Sequence, residues 1–160
     1  MFNNILLVCV GNICRSPMAE ALFKEALCEV KQEKCHVSSA GISALVGHKA
    51  DEKACQLMMA RGLDISTHRA CQLNKQLIWK ADLILVMELA HKMEIENKEP
   101  SAKGKVFRLG EWGGYDIQDP YQLDLKTFES VLVQIDQGVS QWIKKLYRQE
   151  YNKTLETGMK

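Results

Sequence analysis

Residues 5–18 read ILLVCVGNICRSPM, and this stretch decides the fold class. Its beginning, Ile5 to Val8, is a continuous apolar run, which is typical of a β-strand buried on both faces of a parallel sheet. Pro17 is a favoured first residue of a helix, and good helix formers follow from Met18 to Lys31. The order strand, loop, helix predicts an α/β domain. Its ligand site should lie in this loop, at the carboxyl end of the strand.

The rest of the chain continues the alternation of strands and helices. Further strands are predicted at residues 36–39, 83–87 and 106–109, and further helices at residues 51–62, 89–97 and about 128–146. We therefore expect a three-layer α/β sandwich, in which a central four-stranded parallel sheet is flanked by helices. We expect one domain over residues 1–160, with only the tail after about Tyr151 dispensable.

Composition limits the classes of partner. The chain has 160 residues, 46% of them hydrophobic, and a formal net charge of +1, which argues against a broad electrostatic surface for nucleic acid or anionic lipid. The apolar run at residues 5–8 is too short for a secretion signal or a membrane span, so we expect a cytoplasmic protein without membrane insertion. The six cysteines lack the spacings of a zinc site. Free thiols, no metal and no cofactor are expected.

The loop Cys9–Ser16 places a thiol, a guanidinium and a hydroxyl between the strand and the helix. Inward-pointing backbone N–H groups and the helix N-terminus would form an anion site there. The planar fork of Arg15 can hold two phosphoryl oxygens, a task for which lysine is a poor substitute. The same positive surroundings favour the thiolate of Cys9 over the thiol. The loop therefore predicts a phosphate site with a cysteine nucleophile.

The long stretch at residues 110–124 lacks periodicity and contains Asp119-Pro120-Tyr121. Pro120 would stiffen this turn and limit where the carboxyl group can point. Asp119 could protonate a leaving oxygen and then act as base on the water that hydrolyses a phosphocysteine. Taken alone, an Asp-Pro pair is usually only a turn, so this prediction depends on Cys9 and Arg15.

The sequence CVGNICRSP at residues 9–17, together with DPY at residues 119–121, resembles the low-molecular-weight protein tyrosine phosphatases. The likeness covers about the whole chain. It is greatest to the bacterial branch associated with capsule and exopolysaccharide synthesis, through SAG at residues 39–41, ALVG at residues 44–47 and LILVME at residues 83–88. The resemblance implies a flavodoxin-like phosphatase fold. It also implies hydrolysis of protein phosphotyrosine and of small aryl phosphates, with no cofactor.

By this resemblance Cys9 is the nucleophile, Arg15 the phosphate clamp and Asp119 the general acid and base. The residues that would bind phosphate or support the loop are Val10, Gly11, Asn12, Ile13, Cys14, Ser16 and His68. Among these, Asn12 would hold a left-handed backbone conformation and be oriented by His68. Ser16 would donate its hydroxyl to the sulfur of Cys9. The other histidines of the chain, His36, His48 and His91, are given no role.

The resemblance also places Ile13, Leu45 and Tyr121 around a substrate slot that favours aryl phosphates. Leu45 and its neighbour stand where eukaryotic members have a Trp beside a polar residue, and Gln122 stands where they have a second Tyr. Substrate preference is therefore not transferred from eukaryotic members. From the bacterial branch we expect a phosphotyrosine protein as partner, with a bacterial tyrosine autokinase of polysaccharide synthesis as the hypothesised substrate, and a monomer or weak dimer.

Cys14 lies in the same loop as Cys9, so oxidation could join the two in a reversible disulfide. Two alternatives to a phosphatase remain. A thiol-dependent arsenate reductase of the same fold would use two further cysteines in a later segment, whereas no cysteine follows Cys71. A non-catalytic phosphotyrosine-binding module would lack the thiol or the acid, and both are present.

Overall fold

The apolar run near the start forms the central strand of the sheet. The computed structural model describes residues 2–158. The strands are β1 (Asn4–Cys9), β2 (His36–Gly41), β3 (Leu83–Val86) and β4 (Val106–Arg108). They form one sheet in the order β2-β1-β3-β4, and every pairing is parallel. The predicted four-stranded parallel sheet is confirmed, and β1 ends at Cys9 with strands on both sides.

Helices cover both faces of this sheet. They are α1 (Arg15–Glu29), α2 (Glu52–Ala60), α3 (Lys75–Lys80), α4 (Leu89–Lys98), α5 (Leu125–Leu146) and α6 (Arg148–Gly158). Side chains of β1 alternate between the faces: Ile5 and Leu7 pack with α1, α2 and α5, whereas Leu6 and Val8 pack with α3 and α4. The predicted three-layer α/β sandwich, the fold class expected from the sequence, is therefore confirmed.

The structure corrects the sequence prediction most clearly at α1 and α3. Helix α1 begins at Arg15 rather than at Pro17, so the phosphate clamp belongs to its first turn. Helix α3 was not predicted, since its six residues are too few to show a helical period. Its start is marked only by Asn74, whose side chain accepts a hydrogen bond from the Leu77 N–H at 2.9 Å. The residues after Tyr151 continue α6, and their dispensability stays a prediction.

None of the helices within residues 2–158 is long and apolar enough to cross a membrane. The long stretch after β4 contains one short 3₁₀ turn, Glu111–Gly113, and otherwise runs without helix or strand to the N-cap of α5 at Asp124. It passes over the carboxyl ends of the strands, because the Ile117 N–H donates to the Met87 carbonyl beyond β3 at 2.9 Å. This contact brings the segment with Asp119 to the end of β1.

Candidate active site

The loop between β1 and α1 is anchored by hydrogen bonds that surrounding residues donate to its carbonyl groups. The carbonyls of residues 9–13 accept, in order, from Ile42 N at 2.9 Å, Ser43 N at 3.0 Å, Leu45 N at 3.1 Å, His68 Nε2 at 2.7 Å and Asp51 N at 2.8 Å. In a trans peptide the N–H points opposite to the C=O, so the N–H groups of residues 10–14 point away from these partners. That direction is into the pocket, which residues 10, 11, 13 and 14 line. The carbonyl contacts thus leave these N–H groups free for an anion, as the predicted phosphate site requires.

Asn12 fixes the shape of this loop. It is fully buried and has a φ of 57°, a left-handed conformation that asparagine tolerates better than most residues. Its Nδ2 donates to Ser16 Oγ at 2.8 Å and to Ser39 Oγ at 2.9 Å, and its Oδ1 accepts from the Cys71 N–H at 2.9 Å. The backbone carbonyl of Asn12 is hydrogen-bonded to His68 Nε2. One side chain therefore joins the loop, α1 and β2.

Cys9 lies at the bottom of the pocket with 3% of its surface exposed. Its Sγ is 2.9 Å from Ser16 Oγ. Because Asn12 donates a hydrogen bond to that oxygen, the Ser16 hydroxyl hydrogen is free to point at the sulfur. Cys14, the N-cap of α1, makes no side-chain hydrogen bond to the first turn, so the amides of that turn stay available. Sulfur, hydroxyl and helix N-terminus therefore meet at one point, where the helix end favours a bound anion.

Arg15 is buried beside the sulfur with 1% of its surface exposed. Its Nη1 donates to Glu88 Oε2 at 2.9 Å and to the Ile117 carbonyl at 2.8 Å, while its Nη2 lies 3.5 Å from Asp119 Oδ2. Its Nε has no hydrogen-bond partner within residues 2–158. An unpaired buried donor is costly, and a tetrahedral anion in the amide cradle would satisfy it.

Asp119 stands at the rim of the same pocket. Its side chain is 47% exposed, and its Oδ1 accepts from the Tyr121 N–H at 3.1 Å, which closes a tight turn around the buried Pro120. The carboxylate is therefore directed by the turn that the sequence suggested, toward Arg15. Tyr121, itself 43% exposed, forms part of the rim.

The pocket has a volume of about 150 Å³ and is lined by most of the site residues predicted from the sequence. Its lining consists of Cys9, Val10, Gly11, Ile13, Cys14, Arg15, Ser43, Leu45, Asp119 and Tyr121. Ile13 and Leu45 make its walls apolar, as a slot for an aromatic ring requires. Three predicted residues do not line the pocket: Asn12, Ser16 and His68. Their side chains make hydrogen bonds that support the loop. Within residues 2–158 no group of three or more His, Cys, Asp or Glu side chains is arranged to hold a metal ion.

The family profile described as low molecular weight phosphotyrosine protein phosphatase matches residues 4–152. The chain belongs to this family. A probable low molecular weight protein-tyrosine-phosphatase of Ralstonia nicotianae, EpsP, is 49% identical to this phosphatase over 146 residues, which cover 91% of the chain and 97% of that protein. The expected hydrolysis of protein phosphotyrosine is thus confirmed as the activity of the family.

Among the solved structures that are similar to this phosphatase, Vibrio vulnificus Wzb in complex with benzylphosphonate is 39% identical, with a TM-score of 0.84, and the match covers 91% of this chain and 99% of that one. The YwlE arginine phosphatase from Geobacillus stearothermophilus is 31% identical, with a TM-score of 0.83, and covers 93% and 96%. The relatives named EpsP and Wzb confirm the expected likeness to the capsule and exopolysaccharide branch.

The sequence reasoning missed several residues around the phosphatase loop. Glu88 contacts Arg15, yet it had been noted only as part of a strand motif. Its position two residues after β3 is a usable signal, since the carboxyl ends of parallel strands meet at one edge. His91, which the sequence analysis gives no role, lies in α4 with 7% of its surface exposed, and its Nε2 is 3.0 Å from Glu88 Oε2.

Proposed function

We propose that the chain hydrolyses phosphotyrosine through a phosphocysteine on Cys9. Arg15 and the amides of residues 10–14 hold the phosphoryl oxygens, while Asp119 donates a proton to the departing phenol oxygen. Asp119 then takes a proton from the water that attacks phosphorus, which releases phosphate and the free thiolate. One observation carries the proposal: Cys9, Arg15 and Asp119 line a single pocket with an inward-facing amide cradle.

The apolar walls of the pocket support an aryl substrate. A phosphotyrosine ring would lie between Ile13, Leu45 and Tyr121 while its phosphate reaches Cys9. The Vibrio relative solved with benzylphosphonate supports this, because that ligand also joins an aromatic ring to a tetrahedral anion. A phosphoserine would leave the apolar walls uncovered, and the charged guanidino group of phosphoarginine would be desolvated against them.

The experiment compares peptides of one sequence that carry phosphotyrosine, phosphoserine or phosphoarginine at the same position, with EDTA present. We expect EDTA-resistant turnover that favours phosphotyrosine in kcat/KM by at least about 10²-fold. Faster turnover of phosphoarginine would overturn the proposal in favour of the activity named for YwlE. If the reduced enzyme turns over none of the peptides, the remaining functions are a phosphotyrosine-binding module and an arsenate reductase. An assay with arsenate and a thiol donor distinguishes these two.

The leaving group tests the role of Asp119. In Asp119→Asn we expect kcat/KM, which covers only the steps up to transfer of the phosphoryl group to Cys9, to fall by roughly 10²–10³-fold for phenyl phosphate, whose leaving oxygen needs a proton. The loss should be much smaller for 4-nitrophenyl phosphate, whose leaving group departs as an anion. Asp136→Asn, which changes an exposed carboxylate paired with Arg61, is the matched control. Equal losses for both substrates would contradict the acid role.

For the physiological substrate we propose a bacterial tyrosine autokinase of polysaccharide synthesis, on the strength of the bacterial branch alone. We also propose that the chain works as a single domain over residues 1–160, as a monomer or weak dimer in the cytoplasm, without nucleic acid or membrane as partner. An autophosphorylated kinase should lose its phosphotyrosine signal on incubation with the wild-type enzyme but not with Cys9→Ser. A kinase that keeps the signal under both conditions would refute this substrate.

A disulfide between Cys9 and Cys14 is the proposed response to peroxide. Peroxide would oxidise the Cys9 sulfur to a sulfenic acid, and attack by the Cys14 thiolate would form the disulfide and expel hydroxide, which takes up a proton from solvent to give water. Both residues line the pocket. Burial raises the pKa of the Cys14 thiol, and Asp51, Cys9 and Asp119 raise it further. The Cys14 thiolate is therefore scarce at neutral pH, and the disulfide should form faster as the pH rises.

Peroxide inactivation should accordingly be reversed by dithiothreitol in the wild type and be irreversible in Cys14→Ser. Peptide mass mapping should find Cys9 joined to Cys14. Cys28→Ser, which changes an exposed cysteine of α1, is the control and should behave as the wild type. Irreversible inactivation of the wild type, without the linked peptide, would count against the disulfide.

A further inference from the structure

A polar pair, Glu88 and His91, lies behind the phosphate clamp on the side away from the pocket. Glu88 Oε2 accepts from Arg15 Nη1 at 2.9 Å and also contacts His91 Nε2 at 3.0 Å. We propose that His91 is a positioning residue for catalysis: it fixes the Glu88 carboxylate, which in turn fixes the guanidinium of Arg15. This inference rests on the proposed function, in which Arg15 holds the transferred phosphoryl group.

Glu88 needs such a restraint, because its side chain has another favourable position. It is 35% exposed, and it is the N-cap residue of α4, where the unpaired N–H groups of the first turn attract an acceptor. Here Glu88 makes no such cap. Asp116 Oδ1 instead accepts from the Leu89 N–H at 3.0 Å. The Glu88 carboxylate is thereby left for Arg15.

His91 supplies the restraint from the first turn of α4. Its backbone N–H donates to the Glu88 carbonyl at 3.0 Å, so both ends of Glu88 contact the same residue. Burial lowers the pKa of His91, and the nearby Arg15 lowers it as well, whereas Glu88, Glu94 and Asp116 act in the opposite direction. The ring is therefore neutral near pH 7.

A neutral ring carries one N–H, and a carboxylate only accepts, so the proton lies on Nε2 and is donated to Glu88. The other ring nitrogen, Nδ1, is buried without a partner within residues 2–158. A neutral donor holds the carboxylate without cancelling its charge, which stays available to Arg15. Without this donor Glu88 could rotate into solvent, and Arg15 would lose one of the two acceptors that direct its Nη1. A less ordered guanidinium would bind phosphate and the transition state more weakly.

Two substitutions at position 91 separate the donor from the bulk of the side chain. In His91→Phe, which fills the site but cannot donate, we expect kcat/KM for a phosphotyrosine peptide to fall roughly 10-fold, with a similar rise in the inhibition constant of inorganic phosphate. In His91→Gln the amide still donates, and both values should stay within about threefold of the wild type. Ile95→Val, a buried change in the same helix, controls for weakened packing of α4. It should lower the melting temperature without moving the inhibition constant.

The route through Glu88 is tested by a double-mutant cycle. His91→Phe should cause almost no further loss in a Glu88→Gln background, because the carboxylate that it positions is already gone. The inference is overturned if His91→Phe leaves both constants unchanged, if His91→Gln loses as much as His91→Phe, or if the full loss persists in the Glu88→Gln background. An inactive wild type would refute the proposed function instead, so the two failures are distinct.

Discussion

Replacing Cys9 by serine is expected to abolish measurable turnover, a loss of at least about 10⁴-fold in kcat, while phosphate binding persists. A serine hydroxyl is a weak nucleophile near neutral pH, whereas a cysteine sulfur is intrinsically far more nucleophilic. Neither the amide cradle nor Arg15 depends on the sulfur: hydrogen bonds to the loop carbonyls and from Asn12 hold the loop, and Glu88 and the Ile117 carbonyl hold Arg15.

The measurement is kcat for 4-nitrophenyl phosphate together with calorimetric binding of inorganic phosphate. Cys28→Ser is the matched control, because Cys28 is an exposed cysteine of α1. It should keep its activity within about twofold. Turnover by Cys9→Ser near the wild-type rate would remove Cys9 from the reaction. Loss of phosphate binding together with turnover would show that the thiol supports the loop rather than the chemistry.

Replacing Arg15 by lysine is expected to lower kcat/KM on the order of 10³-fold and to weaken phosphate binding, although the positive charge is kept. Lysine cannot present two parallel N–H groups to two phosphoryl oxygens. It would also break the geometry set by Glu88 and the Ile117 carbonyl, which both accept from Arg15 Nη1.

The control for this change is Arg61→Lys, in which an exposed arginine paired with Asp136 receives the same substitution. Melting temperatures of both variants show whether the fold is kept. A loss below about tenfold in Arg15→Lys would mean that charge alone suffices and that the clamp geometry is unimportant.

Much of the fold and the chemical core of the site could be predicted from local sequence. Continuous apolar runs at β1 and β3 and the long amphipathic stripe of α5 are strong signals. The loop CVGNICRS keeps its chemistry within a few neighbouring residues. Helix α3 escaped prediction because six residues give too little period. The early start of α1 escaped because Pro17 indicated a later first turn.

The supports of the site were harder to predict, because they depend on contacts between distant parts of the chain. Arg15 meets Glu88 across 73 residues and the Ile117 carbonyl across 102 residues. Every residue type carries a backbone carbonyl, so the sequence does not indicate which carbonyl contacts Arg15. The residues next to His91 in the sequence do not distinguish it from an exposed helical histidine. Only the packing of α4 shows that it is buried beside Glu88.

The most direct test of the central claim is to trap the phosphoryl group on the enzyme. In Asp119→Asn, 4-nitrophenyl phosphate should still transfer its phosphoryl group to Cys9, because its leaving group needs no proton. Hydrolysis should be slow, because the base is gone. A denaturing quench followed by peptide mass mapping should then find one phosphoryl group on Cys9, and none in Cys9→Ser. A phosphoryl group on another side chain, or none in a variant that still turns over, would contradict the mechanism.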